Sequence, residues 1–225
     1  MALAVGPQAL LRLQADLVTT TAELQSATLE DGSRILLAPE SAVELRFSET
    51  AREVRLIEGQ AFFEVERDPA APFRVVAGET VVTVLGTAFE VDFADGTGRI
   101  AVQHGRVGVA AAGDGSRPSV ELGGGEWLLT GGTGAAARGH LAPEDIAAWR
   151  NGELIVRDRP VSEIVTVLRR YHRGAILLQD EAFAAQRISG IYSLNNPVET
   201  LSNLAAAHGA RVTAISPWLL IVTER

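Results

Sequence analysis

At 225 residues, with 47% hydrophobic and 21% charged side chains, the chain has the composition of a folded protein with one large core or two small ones. Its net charge of −8 argues against a nucleic-acid partner, because neutralising phosphates requires a basic face. All 20 basic residues are arginine and cysteine is absent, which removes Schiff-base lysines, thiol nucleophiles, disulfides and Cys-rich metal sites together.

The opening residues Met1-Ala-Leu-Ala-Val-Gly are too few and too uncharged for a complete signal peptide. No run of about 18 apolar residues is present to span a membrane as a helix. From Leu29 to about Leu129, short alternating or apolar runs predict strands at Arg34–Leu37, Ala42–Phe47, Glu53–Ile57, Ala61–Val65, Phe73–Val76, Thr80–Leu85, Ala88–Phe93, Gly98–Val102, Arg106–Ala110 and Glu126–Leu129. Asp31-Gly32-Ser33, Glu58-Gly59, Asp68-Pro69, Ala94-Asp95-Gly96 and His104-Gly105 read as the turns between them. Many short strands at this spacing mean an all-β sandwich, roll or solenoid. Within it Val54, Leu56, Gly59, Ala61 and Phe63 recur 46 positions later as Ile100, Val102, Gly105, Val107 and Val109, two strands around a fixed glycine.

The Gly/Ala-rich stretch Gly123–His140 lacks a GK[ST] and a following apolar helix, so it is no phosphate loop. It reads as a surface hairpin running into a linker over 131–148. Beyond Trp149 the texture changes. Glu153–Val156 is a predicted strand and Pro160–Arg173 a helix, with Pro160 in its first position and Val161, Ile164, Val165, Leu168 and Tyr171 on one face. Gly174 fits the left-handed stop and Ala175–Leu178 a second strand. The order repeats about 37 residues on: strand Arg187–Tyr192, then helix Pro197–His208 with Val198, Leu201, Leu204, Ala205 and His208 inward, started by Asn196 and Glu199 and stopped by Gly209. Strands Arg211–Ile215 and Trp218–Val222 close the chain. The expected whole is a β-rich α+β fold: an all-β domain at 29–130 and a small split βαβ-repeat domain at 149–225, one sheet with two helices on a face.

Chemistry is sparse. His104, His140, His172 and His208 share no metal-ligand spacing, and His172 and His208 sit where a cation suits a helix C-terminus. Asp92/Asp95 and Glu144/Asp145 fall at turns, and no GxSxG or GxGxxG joins a strand to a helix. No enzyme activity, cofactor or metal is expected. A binding role has better support, because the apolar strand Trp218-Leu219-Leu220-Ile221-Val222, placed at a sheet edge, would accept a partner's strand.

Several ordered segments match a known pattern. Ala15-Asp-Leu-Val-Thr-Thr20, Leu29-Glu-Asp-Gly-Ser-Arg-Ile-Leu-Leu37, Arg55-Leu-Ile-Glu-Gly-Gln-Ala61, Pro72-Phe-Arg-Val75, Val84-Leu-Gly-Thr-Ala-Phe-Glu-Val91 and Val102-Gln-His-Gly-Arg-Val107 resemble the FecR domain of anti-sigma regulators. Trp149–Val156, Pro160-Val161, Arg170-Tyr171 and Ile188-Ser-Gly-Ile-Tyr192 resemble the C-terminal part of the same proteins, itself similar to the short secretin/TonB N-terminal domain. The resemblance implies the periplasmic part of a single-pass inner-membrane protein, with residues 1–28 following a transmembrane helix and a cytoplasmic domain that holds an extracytoplasmic-function sigma factor. It also implies docking to the N-terminal signalling domain of a TonB-dependent outer-membrane receptor, usually in iron-siderophore uptake, and processing by periplasmic and intramembrane proteases. Some relatives break their own chain at a Gly-Thr bond, and the matching bond is Gly86-Thr87. Two other readings share parts of the pattern: the N-terminal periplasmic region of a secretin or TonB-dependent receptor, and a β-scaffold carbohydrate-binding or carbohydrate-active protein.

Overall fold

The structure, a computed structural model, describes residues 14–48, 51–112, 118–131 and 137–224. The chain divides into two compact units. One spans residues 1–20 and 24–147, and the other residues 21–23 and 148–225.

In the first unit the described strands are Leu17–Val18 (β1), Gln25–Thr28 (β2), Arg34–Leu37 (β3), Ala42–Ser48 (β4), Ala51–Glu64 (β5), Phe73–Ala77 (β6), Thr80–Val84 (β7), Ala88–Ala94 (β8), Thr97–His104 (β9), Arg106–Ala111 (β10), Val120–Gly123 (β11), Glu126–Gly131 (β12) and Arg138–His140 (β13). They make one curled sheet whose two halves share β5. One half runs β1-β4-β5-β6-β7-β10-β11 and the other β2-β3-β5-β8-β9-β12-β13. Alternation explains the core: Phe73, Val75 and Ala77 on β6 are buried while Arg74 and Val76 between them are less so. Inward residues of both halves meet in one cluster around Phe63, which stacks on Phe89 at 5.1 Å and leans on Phe73 at 6.1 Å. Burial of each such ring contributes about 1.5–3 kcal/mol.

Residues 53–65, expected as two strands about a Glu58-Gly59 turn, are one 14-residue strand. Its first part pairs with β4 and β6, its second with β3 and β8, and it changes half-sheet at Gly59, where φ is +91°. The chain bends there without reversing. The 46-residue recurrence is real in the backbone. Gly105 (φ +92°) carries the chain from β9 to β10 as Gly59 carries β5 across. Residues 40 and 86 both have positive φ, and the pairs Ala42–Glu58 and Val43–Leu56 return as Ala88–His104 and Phe89–Val102, each with a register shift between them. Arg138–His140, expected within a linker, pairs with β12 and belongs to the sheet. Residues 132–136 of the expected linker lie outside the described residues.

In the second unit the elements are Glu153–Pro160 (β14), Val161–Tyr171 (α1), Ala175–Leu178 (β15), Glu181–Ala185 (α2), Arg187–Ser193 (β16), Pro197–Ala207 (α3), Ala210–Ser216 (β17) and Leu219–Glu224 (β18). The βαβ order is as expected, but there are two small sheets and not one. The leading strands β14 and β16 pair antiparallel, while β15 and β17 flank β18. Val161, Ile164, Val165 and Leu168 of α1 and Leu201, Leu204 and Ala205 of α3 are buried as their spacing requires. Val198 and His208, expected inward, are exposed, and Pro160 caps α1 in place of opening it. Gly174 has no left-handed φ. Its missing side chain instead admits the Trp218 carbonyl, which would lie 2.6 Å from a Cβ. Residues 21–23 join this unit through the Ala22 amide, which donates to the Arg170 carbonyl at 2.9 Å.

Candidate functional site

Gly86-Thr87 forms the bend between β7 and β8. Gly86 has φ +153°, and a Cβ there would lie 2.9 Å from the Arg67 Cα, so only glycine fits. Residues 65–68 run alongside: the Val65 amide donates to the Thr87 carbonyl and the Asp68 amide to the Leu85 carbonyl, both at 3.0 Å. That stretch is tied down from below by Arg52, 8% exposed, which donates to the carbonyls of Glu66 and Ala71 and pairs with Asp31 at 2.8 Å. On the other side Gly105 approaches so closely that a Cβ would lie 2.9 Å from Thr87 Oγ1. The peptide bond is therefore held between two stretches of backbone.

Thr87 is 2% exposed and its hydroxyl donates to the Arg106 carbonyl at 2.9 Å. The repeat supplies an internal comparison, since Ser41 stands 46 residues earlier and its hydroxyl meets the Gln60 carbonyl at 3.2 Å. Ser41 Oγ also accepts the Gln60 amide at 2.9 Å. Among the described residues no donor reaches Thr87 Oγ1, so its lone pairs are uncommitted. The two equivalent hydroxyls thus differ in what they accept: Ser41 takes the Gln60 amide and Thr87 takes no donor among the described residues.

The sheet-edge placement expected for Trp218–Val222 does not hold. Leu219–Glu224 is the middle strand of its sheet, paired on one side with β15 and on the other with β17, so its main chain offers no edge. Leu220 and Val222 are buried, Leu219 and Ile221 half-buried, and Trp218 stands 65% exposed in the turn before the strand. Leu177, 44% exposed on β15, lies beside Ile221 on the outer face of this sheet, and Thr213 lies on the other side of Ile221.

The other feature of this unit was not legible in sequence: a groove of about 380 Å³ between β16 and α3. Ile191, Tyr192 and Ser193 form its strand side, and Asn196, Glu199, Asn203 and Ala207 lie along its helix side. Asn196 caps α3, accepting the Glu199 amide at 3.3 Å and donating to the Glu199 carboxylate at 2.7 Å. Burial pushes the Tyr192 phenol up, keeping it a neutral donor. His208 Nδ1 lies 3.0 Å from Gln186 Oε1 at the end of the helix. Among the described residues no group of three or more His, Asp or Glu side chains is placed to hold a metal, and no helix is long and apolar enough to cross a membrane.

Residues 15–108 match the FecR protein family model. Two crystal structures of a candidate anti-sigma factor from Parabacteroides distasonis ATCC 8503, at 1.65 and 2.50 Å resolution, share the fold. Each has a TM-score of 0.80 and covers 93% of this chain and 98% of that one, at 24% and 23% identity. No curated protein matches the chain.

Proposed function

We propose that this FecR-like chain is the periplasmic sensor region of a transmembrane anti-sigma regulator. It binds the N-terminal signalling domain of a TonB-dependent outer-membrane transducer. That contact relays a signal, of the iron-siderophore kind, to an extracytoplasmic-function sigma factor held by a cytoplasmic domain of the same inner-membrane protein. Periplasmic and intramembrane proteases then free the sigma factor. The observation that carries this reading is the FecR match at residues 15–108, supported by a fold shared over 93% of the chain with a candidate anti-sigma factor. The role is binding and not catalysis.

Within this reading the β unit and the unit from residue 148 onward are separate domains, the second similar to the short secretin/TonB N-terminal domain and serving as the docking module. The second unit carries Leu177, Ile191, Val198, Ile215 and Trp218 exposed on its surface, the kind of apolar exposure that marks a partner site. Calorimetric titration with the isolated signalling domain of the accompanying transducer tests it. Saturable one-to-one binding is expected, and no heat at about 100 μM would overturn it.

A second reading, favoured by the buried Thr87 hydroxyl, whose oxygen accepts no hydrogen bond among the described residues, is self-cleavage at Gly86-Thr87. Thr87 Oγ1 adds to the Gly86 carbonyl carbon, and the C–N bond breaks as the hydroxyl proton passes to the departing amine. Water then opens the resulting ester, leaving a Gly86 carboxylate and a restored Thr87 hydroxyl. Two gel fragments divided after residue 86, and one band for Thr87→Ala, are expected. Wild-type protein that stays intact on long incubation would sink the idea.

A further inference from the structure

We infer that the transducer's signalling domain is captured as an added strand on the open edge of Arg187–Ser193, in the groove that α3 forms beside it. This inference rests on the proposed function and specifies its docking element. In an antiparallel ladder the N–H and C=O groups of alternate residues point to opposite sides. The Leu194 amide donates to the Gly152 carbonyl at 2.7 Å, so Tyr192 and Gly190 also turn toward β14. Ile191 and Ser193 turn their main-chain groups away from it. The Ser193 carbonyl is taken by the Thr200 hydroxyl at 2.7 Å, which pins the end of the strand to α3. Among the described residues no strand pairs with this side of β16. The N–H and C=O of Ile191 and the N–H of Ser193 therefore line an open edge, and the Ile191 side chain is 67% exposed beside it.

Three properties of the place select an extended polypeptide. A lone two-stranded ribbon is marginal in water and gains from a third strand. The helix wall from Asn196 to Ala207 rises about 16 Å, which matches about five residues of extended chain. The groove mixes apolar and polar side chains, and the one carboxylate lining it is Glu199, held by Asn196. The incoming strand accordingly carries an Arg or Lys where it passes Glu199, and small or polar side chains where it faces Asn203 and Ala207. On the β15-β18-β17 sheet the exposed Trp218 leads into β18, whose main-chain groups are taken by strands on both sides.

The test separates main-chain capture from side-chain contact. Ile191→Pro deletes an N–H that points away from β14 and leaves the ladder to β14 formed, as prolines on edge strands do. Ile191→Ser keeps the N–H and loses only the apolar side chain. Asn203→Trp fills the groove from an exposed helix position. With the full chain titrated against the transducer's signalling domain, Ile191→Pro and Asn203→Trp are expected to weaken binding at least about tenfold and Ile191→Ser less, while Trp218→Ala leaves it unchanged. Glu199→Arg is expected to weaken binding in a salt-dependent way. A circular dichroism spectrum and melting temperature close to wild type keep each variant interpretable, and Asn203→Trp carries the test if proline disturbs the fold. Wild-type affinity in Asn203→Trp, or loss confined to Trp218→Ala, overturns the edge proposal and leaves the functional reading standing. Absence of binding by the wild-type chain overturns the functional reading itself.

Discussion

The crossing of β5 between the half-sheets depends on a contact that only glycine permits, and Gly59→Ala tests it. A methyl group on Gly59 would lie 2.5 Å from the Ser41 Cα, a backbone atom that cannot rotate away, and closer still to its hydroxyl. Ser41 is fully buried, and its hydroxyl accepts the Gly59 neighbour's amide, that of Gln60, at 2.9 Å. Two costs add. A left-handed φ of +91° in a non-glycine residue costs about 1–2 kcal/mol. Forcing a methyl into a filled site costs about a further 1–3 kcal/mol. The total of about 2–5 kcal/mol is a large part of a domain stability of about 5–15 kcal/mol. Gly96→Ala is the internal control, because Gly96 also has positive φ (+74°) but nothing within 4 Å of its would-be methyl, and should cost only the conformational part. Gly105→Ala, the counterpart of Gly59, should fall between them, since its nearest neighbours are Thr87 Oγ1 at 2.9 Å and backbone atoms at 3.2 Å. Urea unfolding followed by far-ultraviolet circular dichroism reads the midpoints, with equal m-values required for the comparison. A Gly59→Ala variant as stable as Gly96→Ala would refute the close-approach argument.

Arg52→Met strips the donor from Asp31 and from the carbonyls of Glu66 and Ala71, and should destabilise the β unit by about 3–5 kcal/mol, as breaking a buried pair does. Arg52→Lys should rescue little, because one ammonium cannot reach this spread of acceptors. Amide exchange should then quicken at residues 66–71, and unchanged protection there would count against Arg52 as the tether. For Glu126, the Gly123 amide first and the Arg138 guanidinium second hold the carboxyl below the usual carboxylate range. A depressed folded value contributes stability that is present above the unfolded pKa and is lost as pH falls through the folded one. Glu126→Gln should therefore flatten the acid limb of the stability profile, and an unaltered limb would contradict this. Asn196→Ala removes the cap of α3 and should cost about 1 kcal/mol in a thermal melt, with no loss refuting its capping role.

Legibility followed the range of the interaction that fixes each element. The strands around Phe73-Val75 and Ile100-Val102 were visible because burial alternates with a period of two. Leu17–Val18, Gln25–Thr28 and Arg138–His140 were not, being two to four residues long, too short to show a period, and defined by the strands they pair with. The short helix Glu181–Ala185 spans little more than one turn and so shows no helical period, although Asp180 caps it by accepting the Phe183 amide at 2.9 Å.

Sequence by itself determined the alternation of the β unit, the 46-residue recurrence about Gly59 and Gly105, the apolar stripes of Val161–Tyr171 and Pro197–Ala207, and the cap at Asn196. Apart from the recurrence, which is a repetition of residue types along the chain, these express spacings within a few turns or pleats. Only the tertiary structure decided that Gly59 bends a strand across two half-sheets, that the apolar Leu219–Glu224 is a middle strand, and that Arg187–Ser193 keeps an open edge. Strand order depends on which edges remain after distant segments have paired, and side-chain chemistry along one strand is nearly the same whether its neighbour is another strand or water.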